Sequence, residues 1–127
     1  MMPLGVGIDL VDVARVERML EQFGSRVLER LLTEAECSYC LGMAVPARHV
    51  ATRVAAKEAA FKALQPDTGR IDIGWREIEV ARNDEGRPSL RLTGRAHERS
   101  ERLGVRRVMV SLSHSDIQAA AVVVLLG

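Results

Sequence analysis

The amino-acid sequence predicts an α+β fold, with one long central helix packed on an antiparallel sheet. Three features carry that prediction. Helical and strand-like stretches both occur, but they do not alternate strictly, as a doubly wound parallel sheet would need. The longest helical stretch, His49 to Leu64, is apolar nearly all round and so reads as a buried helix. The final stretch, Gln118 to Leu126, is apolar at almost every position, as in a strand covered on both faces. The chain has 127 residues with no internal repeat, low-complexity tract or linker, which fits one domain over 1–127.

Gly5 to Val11 is apolar and β-rich, broken only by Asp9, and reads as the first strand. Asp12 is a good N-cap for a helix in which Val13, Val16, Leu20 and Phe23 recur at helical spacing, and Gly24 ends it. Arg26 to Leu32 is a short helical turn. Thr33-Glu-Ala-Glu36 matches a capping box and opens another short helix. Gly42 to Pro46 is a break before the long helix, which Pro66 closes. Gln65 to Arg70 is a loop. Glu77 to Arg82 and Ser89 to Thr93 alternate apolar with polar and flank the turn cluster Asn83-Asp-Glu-Gly86, so they form a hairpin. Gly94 to Leu103 is a helix. Arg107 to His114 and Gln118 to Leu126 are two last strands, split by Ser115-Asp116.

Apolar residues make up 47% of the chain, but the aromatic ones are only Phe23, Tyr39, Phe61 and Trp75. Ala, Val and Leu must fill the core. A chain this short covers a limited share of its surface alone, so self-association is expected. The formal net charge of +1 gives no reason to expect nucleic acid or a membrane surface as a partner. The longest apolar run, Ala119 to Leu126, is too short to span a bilayer as a helix. The first residues lack the basic start of a secretory signal, so a soluble cytoplasmic protein is expected. Cys37 and Cys40 have C-x-x-C spacing, but only His49 lies near as a third ligand. The pair therefore reads as two thiols one turn apart on a short helix.

The chemistry concentrates on the long helix and the first strand. At about 100° per residue, Val50, Val54, Phe61 and Leu64 form an apolar stripe that alanines extend. Lys57 falls inside the stripe, while Glu58 and Lys62 sit side by side at its edge. Those two could be an ordinary i,i+4 surface pair. Asp9, amid Val6, Ile8, Leu10 and Val11, needs a partner if it is buried. Two carboxylates from different elements, with a lysine close by, suit Mg²⁺ completed by phosphate oxygens. Ser113-His114-Ser115 ends a strand. A triad with Asp116 is discounted, because residues so close in sequence rarely point together.

Several stretches, in order along nearly the whole chain, resemble the small trimeric phosphopantetheinyl transferases of the holo-acyl-carrier-protein synthase family. They are Gly5-Val-Gly-Ile-Asp-Leu-Val-Asp-Val, Arg53-Val-Ala-Ala-Lys-Glu-Ala-Ala-Phe-Lys-Ala-Leu, Trp75-Arg-Glu-Ile-Glu-Val, Gly86-Arg-Pro88 and Ser111-Leu-Ser-His114. The resemblance implies that Asp9 and Glu58 bind Mg²⁺ and that Lys62 meets the phosphates of coenzyme A. It implies that His114, with Arg53, contacts phosphate, and that sites form between subunits of a homotrimer. His114 then serves a site whose Asp9 and Glu58 come from another chain. The implied reaction moves 4′-phosphopantetheine to a serine of an acyl carrier protein, with Glu58 or a metal-bound water as base. The family docks its carrier on the first helix, so Arg15, Arg18 and Arg26, with Arg30, become the expected basic face for an acidic partner.

One stretch departs from the family. Where it usually has a Gly-rich turn near the coenzyme, this chain has Gln65-Pro66-Asp67-Thr68-Gly69. Two rival readings are a metal-dependent phosphoester hydrolase using the same acids with water, and a non-catalytic trimeric binding domain.

Overall fold

The alternation of residues in the first strand decides how the rest packs. The computed structural model describes residues 1–65 and 72–127. Strand β1 spans Pro3–Asp12 and the long helix α4 spans Pro46–Leu64. Gly5, Gly7, Asp9 and Val11 face α4, while Leu4, Val6, Ile8 and Leu10 point away and are exposed. A Cβ on Gly7 would overlap the carbonyl oxygen of Ala59, and one on Gly5 that of Ala63. Glycine is what lets the strand backbone lie directly on the helix backbone. The helix answers with small residues: Ala55, Ala56, Ala59, Ala60 and Ala63 are all buried.

The main sheet is antiparallel, in the order β1-β5-β4, with β5 at Gln118–Leu126 and β4 at Arg107–His114. Its partner strands place Asp9 opposite Ala121 and His114 opposite Ala119. β5 is thus the central strand. Ala119, Ala121, Val123 and Leu125 are buried on its α4 side, whereas Ala120, Val122, Val124 and Leu126 are only partly covered. The expectation that both faces are covered holds for one of them. Among the described residues, no element of this chain lies over the other.

Helices α1 (Val13–Phe23), α2 (Ser25–Leu31) and α3 (Glu34–Leu41) connect β1 to α4. After α4 come a single 3₁₀ turn at Trp75–Glu77, the expected hairpin of β2 (Ile78–Arg82) and β3 (Pro88–Leu92), and α5 (Gly94–Leu103). The expected loop from Gln65 lies, beyond that residue, outside the described residues. The capping box at α3 forms as expected: Glu36 N donates to Thr33 Oγ1 at 3.3 Å and Thr33 N to Glu36 Oε1 at 3.0 Å. Asp12 stands at the N-cap of α1 but does not cap it. Its carboxylate instead accepts from Gln118 Nε2 at 3.2 Å across the sheet end. Helix α4 starts at Pro46, three residues ahead of His49, because proline is preset for a first helical position.

A pair of opposite charges sits deep in this core. Lys57 is fully buried, and its Nζ donates to Glu36 Oε1 at 2.8 Å, to the Trp75 carbonyl at 2.9 Å and to the Ile78 carbonyl. Glu36 Oε2 accepts from Val80 N at 2.9 Å. Burial presses the Lys57 ammonium down, and the Glu36 carboxylate pulls it back up. The two cysteines are free thiols. Burial pushes Cys40 up to about 11 and raises Cys37, so neither is poised as a nucleophile or metal ligand.

Candidate active site

Strand β1 and helix α4 together bring Asp9, Glu58 and Lys62 to one place. Lys62 reaches across to the strand rather than along its own helix. Its Nζ donates to Asp9 Oδ1 at 3.1 Å and to the Ile8 carbonyl at 3.0 Å. Asp9 is mostly covered, with its side chain 11% exposed, while that of Lys62 is 54% exposed. Asp9 Oδ2 is buried and has no hydrogen-bond partner among the described residues. The Glu58 carboxyl lies within hydrogen-bonding reach of Asp9. Burial pushes Glu58 above the usual carboxylate range, and Asp9 adds to this through that bond and its charge. Arg15 and Lys62 pull it the other way.

Two facing acids meet one half-exposed ammonium at hydrogen-bond distance, with the Arg15 charge nearby. Their free lone pairs and the orphaned Oδ2 fit a hard divalent cation. Among the described residues, no third His, Cys, Asp or Glu joins them. A bound cation would therefore draw its remaining ligands from water or a substrate's oxygens, a habit of Mg²⁺ rather than of a structural zinc.

Arg53 and His114 lie elsewhere. Arg53 is five residues before Glu58, which turns it about 140° around α4. The residue is 3% exposed, and its guanidinium carbon sits 4.2 Å from the centre of the Tyr39 ring. Nη1 donates to the His49 carbonyl at 3.3 Å, and Nε has no partner among the described residues. The His49 ring is edge-on to Tyr39 and to His114, at 5.8 and 5.4 Å between centroids. Arg82 closes the group, donating to the Tyr39 hydroxyl at 2.7 Å. Burial, then the charge of Arg53, holds the His49 imidazole below its ordinary value. His114 pairs with Ala119, which pairs with Val11, so the central strand separates it from β1 by two strand spacings, about 10 Å. Within one chain the structure does not join this cationic cluster to Asp9 and Glu58. His49, Tyr39 and Arg82 were not among the expected site residues. The i,i+4 spacing of His49 and Arg53 was the one signal available.

Arg15, Arg18 and Arg26 are all exposed. Arg15 stands nearest Glu58. Between α1 and α2 runs a groove of about 360 Å³, lined by Met19, Phe23, Val27 and Leu31 and flanked by Arg26 and Arg30. Phe23 ends the apolar stripe of α1 but is 50% exposed, because it borders this groove.

The profile of the 4′-phosphopantetheinyl transferase superfamily matches residues 5–122. A holo-[acyl-carrier-protein] synthase of Syntrophus aciditrophicus is 46% identical over 123 residues, covering 97% of this chain and 95% of its own. The crystal structure of the Neisseria meningitidis holo-[acyl-carrier-protein] synthase superposes with a TM-score of 0.88 at 29% identity, covering 99% of this chain and all of the other. The Helicobacter pylori synthase, solved in complex with coenzyme A, gives 0.80 at 30% identity over 95% and 99% of the two chains. Asp9, Glu58 and Lys62 all lie within the matched residues. By sequence and by fold, this chain belongs to the 4′-phosphopantetheinyl transferase superfamily.

Proposed function

We infer that the chain works as a holo-[acyl-carrier-protein] synthase, moving 4′-phosphopantetheine from coenzyme A to a serine of an apo acyl carrier protein. The meeting of Asp9, Glu58 and Lys62 around an unpartnered carboxylate oxygen is the observation that carries the residue-level reading. Asp9 and Glu58 would hold Mg²⁺, which when bound neutralises charge on the pyrophosphate. Everything else is positioning and proton handling by the protein. Lys62 uses two of its three hydrogens on Ile8 and Asp9, and the third, without a partner among the described residues, suits a phosphate oxygen. Glu58, at the same opening as Asp9 and Lys62, takes the proton of the serine hydroxyl as that oxygen bonds to the phosphorus nearer pantetheine. The bond from this phosphorus to the bridging oxygen breaks, and its electron pair leaves with 3′,5′-ADP.

Arg53 and His114 enter the same reading as phosphate contacts supplied from a neighbouring subunit. Supporting this is the outer face of the sheet, where Val6, Ile8 and Leu10 are 66%, 64% and 63% exposed beside half-covered Val122 and Val124. A contiguous apolar face of that kind calls for a partner, and a homotrimer would cover it. Light scattering should give a trimer, and mixing inactive Asp9→Ala with inactive His114→Ala subunits should recover activity. A fully active monomer contradicts the composite site.

Arg15, Arg18 and Arg26 form the docking face for an acidic carrier, next to the groove at Met19 and Phe23. Arg18→Glu should raise KM for the carrier about tenfold while leaving KM for coenzyme A unchanged, and the wild-type rate should fall as salt rises. Equal kcat/KM for wild type, Arg15→Glu and Arg18→Glu would place docking elsewhere. The activity itself is tested by incubating the protein with apo carrier, coenzyme A and Mg²⁺ and reading the intact carrier mass. The expected product carries one phosphopantetheine. Unmodified carrier with free phosphopantetheine in solution would make the protein a hydrolase instead.

A further inference from the structure

A largely enclosed apolar cavity of about 70 Å³ lies against Glu58. Val11 of β1, Val16 of α1, Val54 of α4 and Trp75 of the 3₁₀ turn contribute to its wall, and among the described residues only Arg15 and Glu58 bring charge to it. Val54 stands one turn before Glu58 on the same side of α4. Protein interiors leave few voids of this size. An apolar cavity of roughly 150 Å³ takes a benzene ring, so this one takes roughly three carbon atoms.

The arm of coenzyme A offers one group of that size and character. From the phosphorus under attack the chain runs through an ester oxygen and a methylene to a quaternary carbon bearing two methyls. Beyond it come a hydroxyl and two amides, which an apolar wall excludes. The geminal dimethyl is therefore the one apolar group within a few bonds of a phosphate held at Glu58. We propose that this cavity seats the geminal dimethyl group of the pantoyl unit, with Val54 setting how deeply it enters. The proposal rests on the transferase reading above. Seating that carbon fixes rotation about the phosphate ester, and so fixes which face of the phosphorus the carrier serine meets. Burial of two methyls corresponds to roughly tenfold in affinity.

The test fills the cavity from its own wall. With Mg²⁺ present, calorimetry compares coenzyme A with 3′,5′-ADP, which lacks the pantoyl unit, on wild type and on Val54→Met. The expected result is about tenfold weaker binding of coenzyme A and unchanged binding of 3′,5′-ADP. Val54→Ile, which adds one methyl and disturbs the core least, should give an intermediate loss. A coenzyme A analogue lacking both methyls should bind wild type about tenfold less well and should lose little more on Val54→Met. Unchanged coenzyme A affinity in Val54→Met overturns the proposal, as does an equal loss for both ligands. A raised KM for the carrier with coenzyme A binding intact also overturns it, by assigning the cavity to a carrier side chain. If wild type binds neither coenzyme A nor 3′,5′-ADP, it is the transferase reading that fails, and the proposal falls with it.

Discussion

Two lysine–carboxylate pairs sit five residues apart on α4, and they are built to opposite plans. Lys57 and Glu36 are wholly buried at 2.8 Å, and the ammonium and both carboxylate oxygens have partners from Thr33, Trp75, Ile78 and Val80. Lys62 and Asp9 meet at 3.1 Å with the lysine half exposed, and one Asp9 oxygen, beside a second acid, accepts from no donor among the described residues. The first pair is complete, and it ties α3, α4, the 3₁₀ turn and β2 together. The second is incomplete, and a chain folds around such a group only at some loss of stability. A satisfied buried pair specifies structure, whereas an unsatisfied one at an opening is where a ligand is expected to finish the set.

That contrast can be broken by substitution. The largest effect should come from the open pair. Asp9→Ala should lower transfer at least about a thousandfold, since metal and charge stabilisation are worth several kcal/mol. Its melting temperature should hold or rise, because a buried oxygen without a partner is removed. Chelation with EDTA should silence the wild type, and Mg²⁺ should restore it. The closed pair should answer in reverse. Lys57→Met strands the Glu36 carboxylate in the core and should destabilise the fold by about 3–5 kcal/mol in chemical denaturation. Adding Glu36→Leu should recover most of that loss, and the double variant, where folded, should retain transfer activity. The smallest stability effect belongs to Lys62→Met. Its pair is half exposed, so denaturation should shift by less than about 1 kcal/mol while kcat falls clearly. Should Lys62→Met unfold the protein and Lys57→Met spare it, the two pairs have been assigned the wrong way round.

Local signals survived the step from sequence to structure better than distant ones. The Thr33–Glu36 capping box was legible because its donors and acceptors lie within four residues of each other. The second use of Glu36, as the partner of Lys57, was not, because the chain returns to it only after 21 residues. Asp12 shows the same limit. Its position marks a helix start, but Gln118, 106 residues away, claims the side chain. Asp9 and Glu58 were readable as a pair because each is an acid inside an apolar run, an anomaly that needs no contact map. Tyr39, His49 and Arg82 carry no such anomaly, and their grouping with Arg53 and His114 depends on how α3, α4, β2 and β4 converge. Gly5 and Gly7 were read as part of a strand, while their real constraint, contact with the backbone of α4, comes from tertiary packing.

The buried oxygen of Asp9, with no donor among the described residues, is read as a cation ligand. Electron paramagnetic resonance of Mn²⁺, standing in for Mg²⁺, tests it directly on protein saturated with coenzyme A. Asp9→Asn keeps the size of the side chain, its carbonyl oxygen and the fold, while removing the charge. Wild type should take up Mn²⁺, and Asp9→Asn should bind it at least about tenfold more weakly with unchanged coenzyme A saturation. Equal Mn²⁺ affinity in the two proteins would contradict the account.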